Sequence, residues 1–297
     1  MKVFVTGATG FVGSAVVKEL IKAGHKVLGL ARNETAEKAL LLAGAEVHRG
    51  DLEDLQSLQE GAKLAEGIIH TGFIHDFTRF AEVCEIDRTA IETMGNAILG
   101  TTKPFLVTSG TLVVNPGNLA TEDMLPNYNG HNPRLASEKA VDVLAAQNVR
   151  ASVVRLSPSV HGEGDVHGFV PMLVDIARKT GFSAYIGNGE NQWTGIHRLD
   201  AARLYRLALE KAAPGARFHG VAEESITLKS IAESIGKQLH LPVVSIPMDE
   251  AAAHFGWFEH FVNIDGPASG QLTRDRLDWE PRYSSLIEDL EQGVYFK

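Results

Sequence analysis

Along the first half of the chain, short apolar runs alternate with longer stretches in which apolar residues recur every three or four positions. Residues 2–6, 26–31, 46–50, 67–70, 104–108 and 151–156 read as strands, and residues 11–23, 36–43, 55–64, 80–100 and 134–147 read as helices. In the first helix Val12, Val16, Leu20 and Ile21 share one face up to Gly24, a natural stop. This alternation predicts an α/β protein: a doubly wound parallel sheet of Rossmann type, with a ligand crevice at the carboxyl ends of the strands. After residue 158 the pattern breaks into short helices and stretches punctuated by glycine and proline, such as 161–168 and 187–195.

Composition narrows the partners. The chain of 297 residues has 28 Lys plus Arg against 37 Asp plus Glu, a net charge of −9 with no basic run. Nucleic acid and anionic membrane are not expected partners. Cys84 is the single cysteine, so no intramolecular disulfide forms. Met1 leads straight into a strand and no stretch approaches eighteen continuous apolar residues, which predicts a soluble, cytoplasmic protein.

The candidate chemistry begins at the first turn. In Met1-Lys-Val-Phe-Val-Thr-Gly7-Ala-Thr-Gly10-Phe-Val-Gly13, three glycines join the first strand to the first helix. Gly7 suits a tight turn, Gly10 a close approach of backbone to a pyrophosphate, and Gly13 close packing of helix on sheet. The helix start then presents free N–H groups to phosphate.

This spacing, with two residues between successive glycines, resembles the extended and atypical short-chain dehydrogenase/reductases, the NAD-dependent epimerase/dehydratase-like group. The resemblance continues in Gly50-Asp51-Leu52, Ile68-Ile69-His70-Thr71-Gly72, Phe105-Leu-Val-Thr-Ser109, Val154-Arg155-Leu-Ser-Pro158-Ser-Val160-His161-Gly162 and Ile196-His197-Arg198-Leu199-Asp200. It implies a dinucleotide domain at 1–158, with 196–222 returning to it, and a smaller interleaved substrate lobe at 159–195 and 223–297. It also implies that Thr9, Phe11 and Val12 join the glycines at the cofactor and that Asp51 and Leu52 meet the adenine. Thr71, Gly72, Phe73 and Thr108 then line the nicotinamide ribose side, and Pro158, Ser159 and Val160 border the nicotinamide. Asp51 would equally serve as a cap for the segment that follows it.

The second strand ends in Ala31 followed by Arg32, where NAD binders carry a carboxylate for the ribose 2′-hydroxyl. Without that carboxylate, the planar guanidinium suits a 2′-phosphate, so NADP is the expected cofactor.

The departure from the resembling group is the missing catalytic tyrosine, which normally stands one helical turn before a lysine. The segment reads Asn132-Pro133-Arg134-Leu135-Ala136-Ser137-Glu138-Lys139. Anchored on Lys139, it puts Leu135 at the tyrosine position; anchored on Ser137, it puts Arg134 and Glu138 at the two places. Ser109 or Thr111 is the candidate third member, and the proton source is open among Tyr128, His161 and a water held by Ser109 and Arg134. Histidines at strand ends invite attention because they titrate near neutrality, His161 and His75 being best placed for the substrate pocket. Their spacing does not suit a metal. Trp193 is a candidate wall of the substrate cavity.

The expectation is an NADP-dependent oxidoreductase passing hydride between nicotinamide and a small to medium carbonyl or alcohol, as a monomer or homodimer. A catalytically silent NADP sensor and a cofactor-retaining epimerase are the alternatives.

Overall fold

The computed structural model describes residues 1–114 and 117–296. The first half alternates as the pattern predicts: β1 (Lys2–Thr6), α1 (Phe11–Lys22), β2 (Lys26–Ala31), α2 (Glu34–Leu42), β3 (Glu46–Arg49), α3 (Leu55–Leu64), β4 (Gly67–His70), α4 (Phe80–Ala97), β5 (Pro104–Gly110), α5 (Leu135–Ala146) and β6 (Arg150–Leu156). The second half holds β7 (Ser159–His161), α6 (Phe169–Thr180), β8 (Ser183–Ile186), β9 (Gln192–His197), α7 (Arg198–Lys211), β10 (Arg217–Gly220), β11 (Glu223–Thr227), α8 (Leu228–Leu239), β12 (Val243–Ile246), α9 (Met248–Phe255), α10 (Glu259–Val262), α11 (Gln271–Leu277) and α12 (Leu286–Glu291).

Where boundaries differ from the sequence reading, local chemistry accounts for it. Helix α2 starts two residues early because the Asn33 carboxamide accepts the Ala36 N–H and caps it. Strand β3 stops at Arg49 because Gly50 turns to φ +149, a region closed to most side chains.

Seven parallel strands form the main sheet in the order β10-β6-β5-β4-β1-β2-β3. The winding reverses between β1 and β4, and at such a switch point the loops at the carboxyl ends part to leave a crevice. Successive side chains of β1 serve opposite faces, Val3 and Val5 packing with α1 and α7 while Phe4 packs with α3, α4 and α5. All three are fully buried.

A second apolar core gathers α6, α8, α9 and α12 around Trp193, with the small sheets β11-β9-β7 and β12-β8. The chain then returns to the first core: Leu277 and Trp279 pack with α1 and α7, and the Trp279 indole N–H donates to the Asp200 carbonyl at 3.1 Å. Among the described residues no helix is long and apolar enough to cross a membrane.

Candidate active site

The β1–α1 turn is built by backbone alone. Gly7 sits at φ +64 and its carbonyl accepts the Gly10 N–H at 2.9 Å. A Cβ on Gly7 would lie 2.6 Å from the Gly72 nitrogen, and one on Gly13 would lie 2.0 Å from the Gly7 oxygen. Neither position has room for a side chain. A Cβ on Gly10 would meet only the Gly7 oxygen, at 3.2 Å, and Gly10 caps α1 with no side-chain hydrogen bond. The first N–H groups of α1 therefore point into open space with a positive dipole end, a cradle that fits a dinucleotide pyrophosphate. Thr9 is exposed at its crest. The Arg198 guanidinium lies 4.7 Å over the Phe11 ring and adds a cation beside it.

Neighbouring loops extend the cradle into a trough. The Thr71 hydroxyl donates to the Thr6 carbonyl at 2.8 Å and the Gly72 N–H donates to the Thr6 hydroxyl at 3.2 Å, which ties the β4 loop to the β1 end. Leu52 lies against Gly72, and Asp51 is exposed beside it, accepting the N–H groups of Glu53 and Asp54 at 2.9 and 3.0 Å. Asp51 thus caps its own turn and keeps a solvent-facing carboxylate. Arg32 is exposed at the end of β2. Pro158 and Val160 are partly exposed, whereas the Ser159 hydroxyl turns inward.

At the start of α5 the structure brings together groups the sequence reading had not connected. The Arg134 guanidinium donates to the Asp87 carboxylate at 2.6 Å, to Ser137 at 2.5 Å and to the Thr108 carbonyl at 2.8 Å, and lies 4.4 Å over the Phe73 ring. Asp87 also accepts from Ser137 at 2.6 Å and pairs with His70 at 3.0 Å, while His70 meets the Thr6 hydroxyl at 2.7 Å. Burial works to raise the Asp87 pKa, but Arg134, then His70 and Ser137, outweigh it and hold the carboxylate ionised well below the usual range. Asp87 was missed, although a sequence signal existed: it interrupts the apolar face of α4 made by Val83, Cys84, Ala90 and Ile91.

Glu138, one turn further along α5, is fully buried and bidentate with Arg155 at 2.7 Å to each oxygen, with Arg217 at 3.2 Å. Desolvation raises its pKa, yet the two arginines leave it lowered. The Ser109 hydroxyl, also buried, turns toward Glu138 without reaching full hydrogen-bond geometry. Lys139 is exposed on the outer face, and Leu135 is buried with Val113, Val114 and Val221. Of the two registers, the geometry therefore puts Arg134 at the crevice and Glu138 beneath it.

Four expected site residues lie away from the crevice. Tyr128 donates to Asp142 and accepts from Arg217 at 3.2 Å; desolvation first, then Asp142, push its pKa up, so its proton is held on the outer side of α5. His161 is fully buried, its Nδ1 2.6 Å from Asp289 and its Nε2 3.5 Å from Glu223, and so joins the polar core under the second lobe rather than the substrate pocket. Trp193 is fully buried among Phe169, Phe258 and the rest of the second core, its indole donating to the Phe261 carbonyl at 3.3 Å; it is core, not cavity wall. Thr111 is buried 3.4 Å from Thr194. His75, by contrast, is exposed at the crevice, edge-on to Phe73 at 5.5 Å, and desolvation followed by Arg134 lowers its pKa.

Comparison with known proteins identifies the family. The profile of the NAD dependent epimerase/dehydratase family matches residues 3–219, and the chain belongs to that family. An uncharacterized protein of Schizosaccharomyces pombe is 47% identical over 100% of both chains. A 2-alkyl-3-oxoalkanoate reductase of Stenotrophomonas maltophilia is 30% identical over 75% of this chain and 69% of its own. Among solved structures, the UDP-glucose 4-epimerase of Thermotoga maritima with UDP-glucose superposes with a TM-score of 0.77 at 20% identity, over 100% of this chain and 98% of that one, a likeness of fold.

Proposed function

We propose that this member of the NAD dependent epimerase/dehydratase family is an NADP-dependent reductase of a small to medium carbonyl compound that works without a tyrosine proton donor. The observation that carries the reading is Arg134. Three of its five N–H donors are taken by Asp87, Ser137 and Thr108; its Nε–H and one Nη2–H have no protein acceptor among the described residues. An arginine so anchored is a preorganised donor for a substrate carbonyl oxygen, strengthened as negative charge develops there. Its planar guanidinium polarises the carbonyl by hydrogen bonding and is not itself the proton source.

NADPH, when bound, supplies the hydride. Arg134 orients the carbonyl and holds the resulting alkoxide, and Phe73 screens the guanidinium from bulk water. Because Tyr128 and His161 are engaged elsewhere and the Ser109 hydroxyl is buried against Glu138, the alkoxide proton comes from a water at the Arg134 edge of the crevice. Preference for NADP rests on exposed Arg32 after Ala31, with no carboxylate beside it to repel a 2′-phosphate.

The test is oxidation of NADPH with a panel of aldehydes and ketones, using the unmodified protein and Arg134→Met. Removing a preorganised oxyanion donor lowers kcat about 100-fold or more, with the Kd for NADPH changed little. Failure of every carbonyl to oxidise NADPH that is demonstrably bound overturns the reductase reading and favours the sensor.

A further inference from the structure

Beyond the crevice the surface carries an unusual wall of rings. Phe77 stacks on Trp257 at 5.0 Å between centroids, and Phe80 stacks on Phe77 at 5.8 Å. Phe261 closes the group, 5.7 Å from Phe77 and 6.1 Å from Trp257. These rings come from the start of α4 on the sheet side and from the α9–α10 region of the second lobe, so they face one another across the lobe boundary. Together with His131 and His260 they border a cavity of ≈ 450 Å³, within the usual size range of small-molecule sites. Trp257 is 54% exposed there, whereas Trp193 and Trp279 are fully buried. A large indole left open in a concave place is apolar area awaiting a ligand.

The cavity adjoins the proposed reaction centre. Asn132 and Pro133 on its rim lead directly into Arg134, and Phe80 meets Phe73, the ring beneath the Arg134 guanidinium, at 6.4 Å. Its lining holds no carboxylate, lysine or arginine. A nucleotide-sugar carries a diphosphate whose two charges call for lysine or arginine partners, and this lining supplies none.

Resting on the reductase reading above, we propose that the substrate is an uncharged aryl carbonyl compound, its ring stacked in the Phe77–Trp257–Phe261 cavity and its carbonyl directed to Arg134. Substrate selection then lies in ring stacking and not in recognition of a nucleotide or sugar.

The test uses the full chain. With NADPH, 4-nitrobenzaldehyde is compared with propanal, and the NADP-loaded protein is titrated with 4-nitrobenzyl alcohol and, separately, UDP-glucose while tryptophan fluorescence is followed. Because only Trp257 of the three indoles is open to solvent, a quenching ligand reports on this cavity. The aryl aldehyde is expected to exceed propanal in kcat/KM by about 30-fold. Trp257→Ala lowers that ratio roughly tenfold, mostly through KM, and Trp257→Phe keeps most of it. The aryl alcohol quenches fluorescence and UDP-glucose does not.

Equal kcat/KM for the two aldehydes, a ratio unmoved by Trp257→Ala, or quenching by UDP-glucose instead of the aryl alcohol overturns the proposal while leaving the reductase reading in place. Quenching by the aryl alcohol that disappears in Trp257→Ala, with no carbonyl turned over, supports the cavity and overturns the reductase reading.

Discussion

The two ends of the crevice are made by different means. At the β1–α1 turn, Gly7, Gly10 and Gly13 shape a cradle from backbone, and the functional groups are N–H donors that every residue possesses. At the start of α5 the functional groups are side chains, and their charges are held by partners on four other elements: Asp87 on α4, His70 on β4, Arg155 on β6 and Arg217 on β10. Such a backbone site tolerates no change at Gly7 or Gly13, because a single added methyl there collides with main chain. A side-chain site can change its chemistry altogether, provided the buried charges remain paired. Here Arg134 is held by Asp87, Ser137 and the Thr108 carbonyl, and Glu138 by Arg155 and Arg217.

The sharpest break of the backbone end is Gly13→Ala, whose Cβ would fall 2.0 Å from the Gly7 oxygen and 2.9 Å from the Thr71 hydroxyl. NADPH affinity is expected to fall by about 100-fold or more, and the fold to lose roughly 3 kcal/mol from the strained contact. Calorimetric titration and chemical denaturation read the two effects; an NADPH Kd within about threefold of the parent would remove the cradle from the phosphate site.

At the side-chain end, Arg155→Met leaves Glu138 buried with Arg217 as its remaining close cation. A loss of about 3–5 kcal/mol is expected, with Glu138→Leu in the same chain recovering much of it, since an absent pair costs less than a broken one. Glu138→Lys sets a cation against Arg155 and Arg217 and is expected to yield insoluble protein. Soluble, active Glu138→Lys protein would show that the two ends are less different than the ion pairs imply.

What the sequence disclosed follows the same division. The glycine spacing, the strand–helix alternation and Arg32 after β2 are local, and each could be read within a dozen residues. The Asp87–Arg134 pairing, the Glu138–Arg155 clamp and the Phe77–Trp257 stack join distant segments, so no window along the chain displays them. Trp193 and His161 were misplaced for the reverse reason. Both residue types serve ligand pockets and cores alike, and only the packing of α12 and the Phe258–Phe261 segment over them decides for the core.

A milder break of the cradle tests cofactor choice. Arg32 has no carboxylate partner among the described residues, so its truncation disturbs little else. Arg32→Ala is expected to weaken NADP binding about 10- to 100-fold, the range of one or two charge-assisted hydrogen bonds, and to leave NAD binding nearly as it was. Equal Kd values for NADP and NAD in the parent protein would sink the assignment.

The smallest expected effect concerns the small sheet of the second lobe, where β7 carries His161 against Asp289 of α12 and Glu223 of β11. Desolvation opposes the imidazolium, but Asp289 and then Glu223 outweigh it, so the folded-state pKa of His161 is raised. Below about pH 6.5, the unfolded value, its stabilisation is fully present; it is lost as pH rises through the folded value. The other histidines with resolved shifts, His75, His197, His219 and His254, are all lowered, His219 to about 4, chiefly by desolvation. Their contributions run the opposite way and are complete once pH exceeds about 6.5. Above about pH 6.5, therefore, His161 is, among the histidines with resolved shifts, the one that makes the fold less stable as pH rises through its folded value, by a Tm change of roughly 2–4 °C for each kcal/mol lost. Asp289→Asn removes the principal cause of the raised pKa and is expected to lower Tm at pH 6.5 while flattening its fall toward pH 8. A parent Tm that is level across that interval, or an equal slope in Asp289→Asn, would show that the His161–Asp289 pair is not what stabilises β7 against α12 in the second lobe.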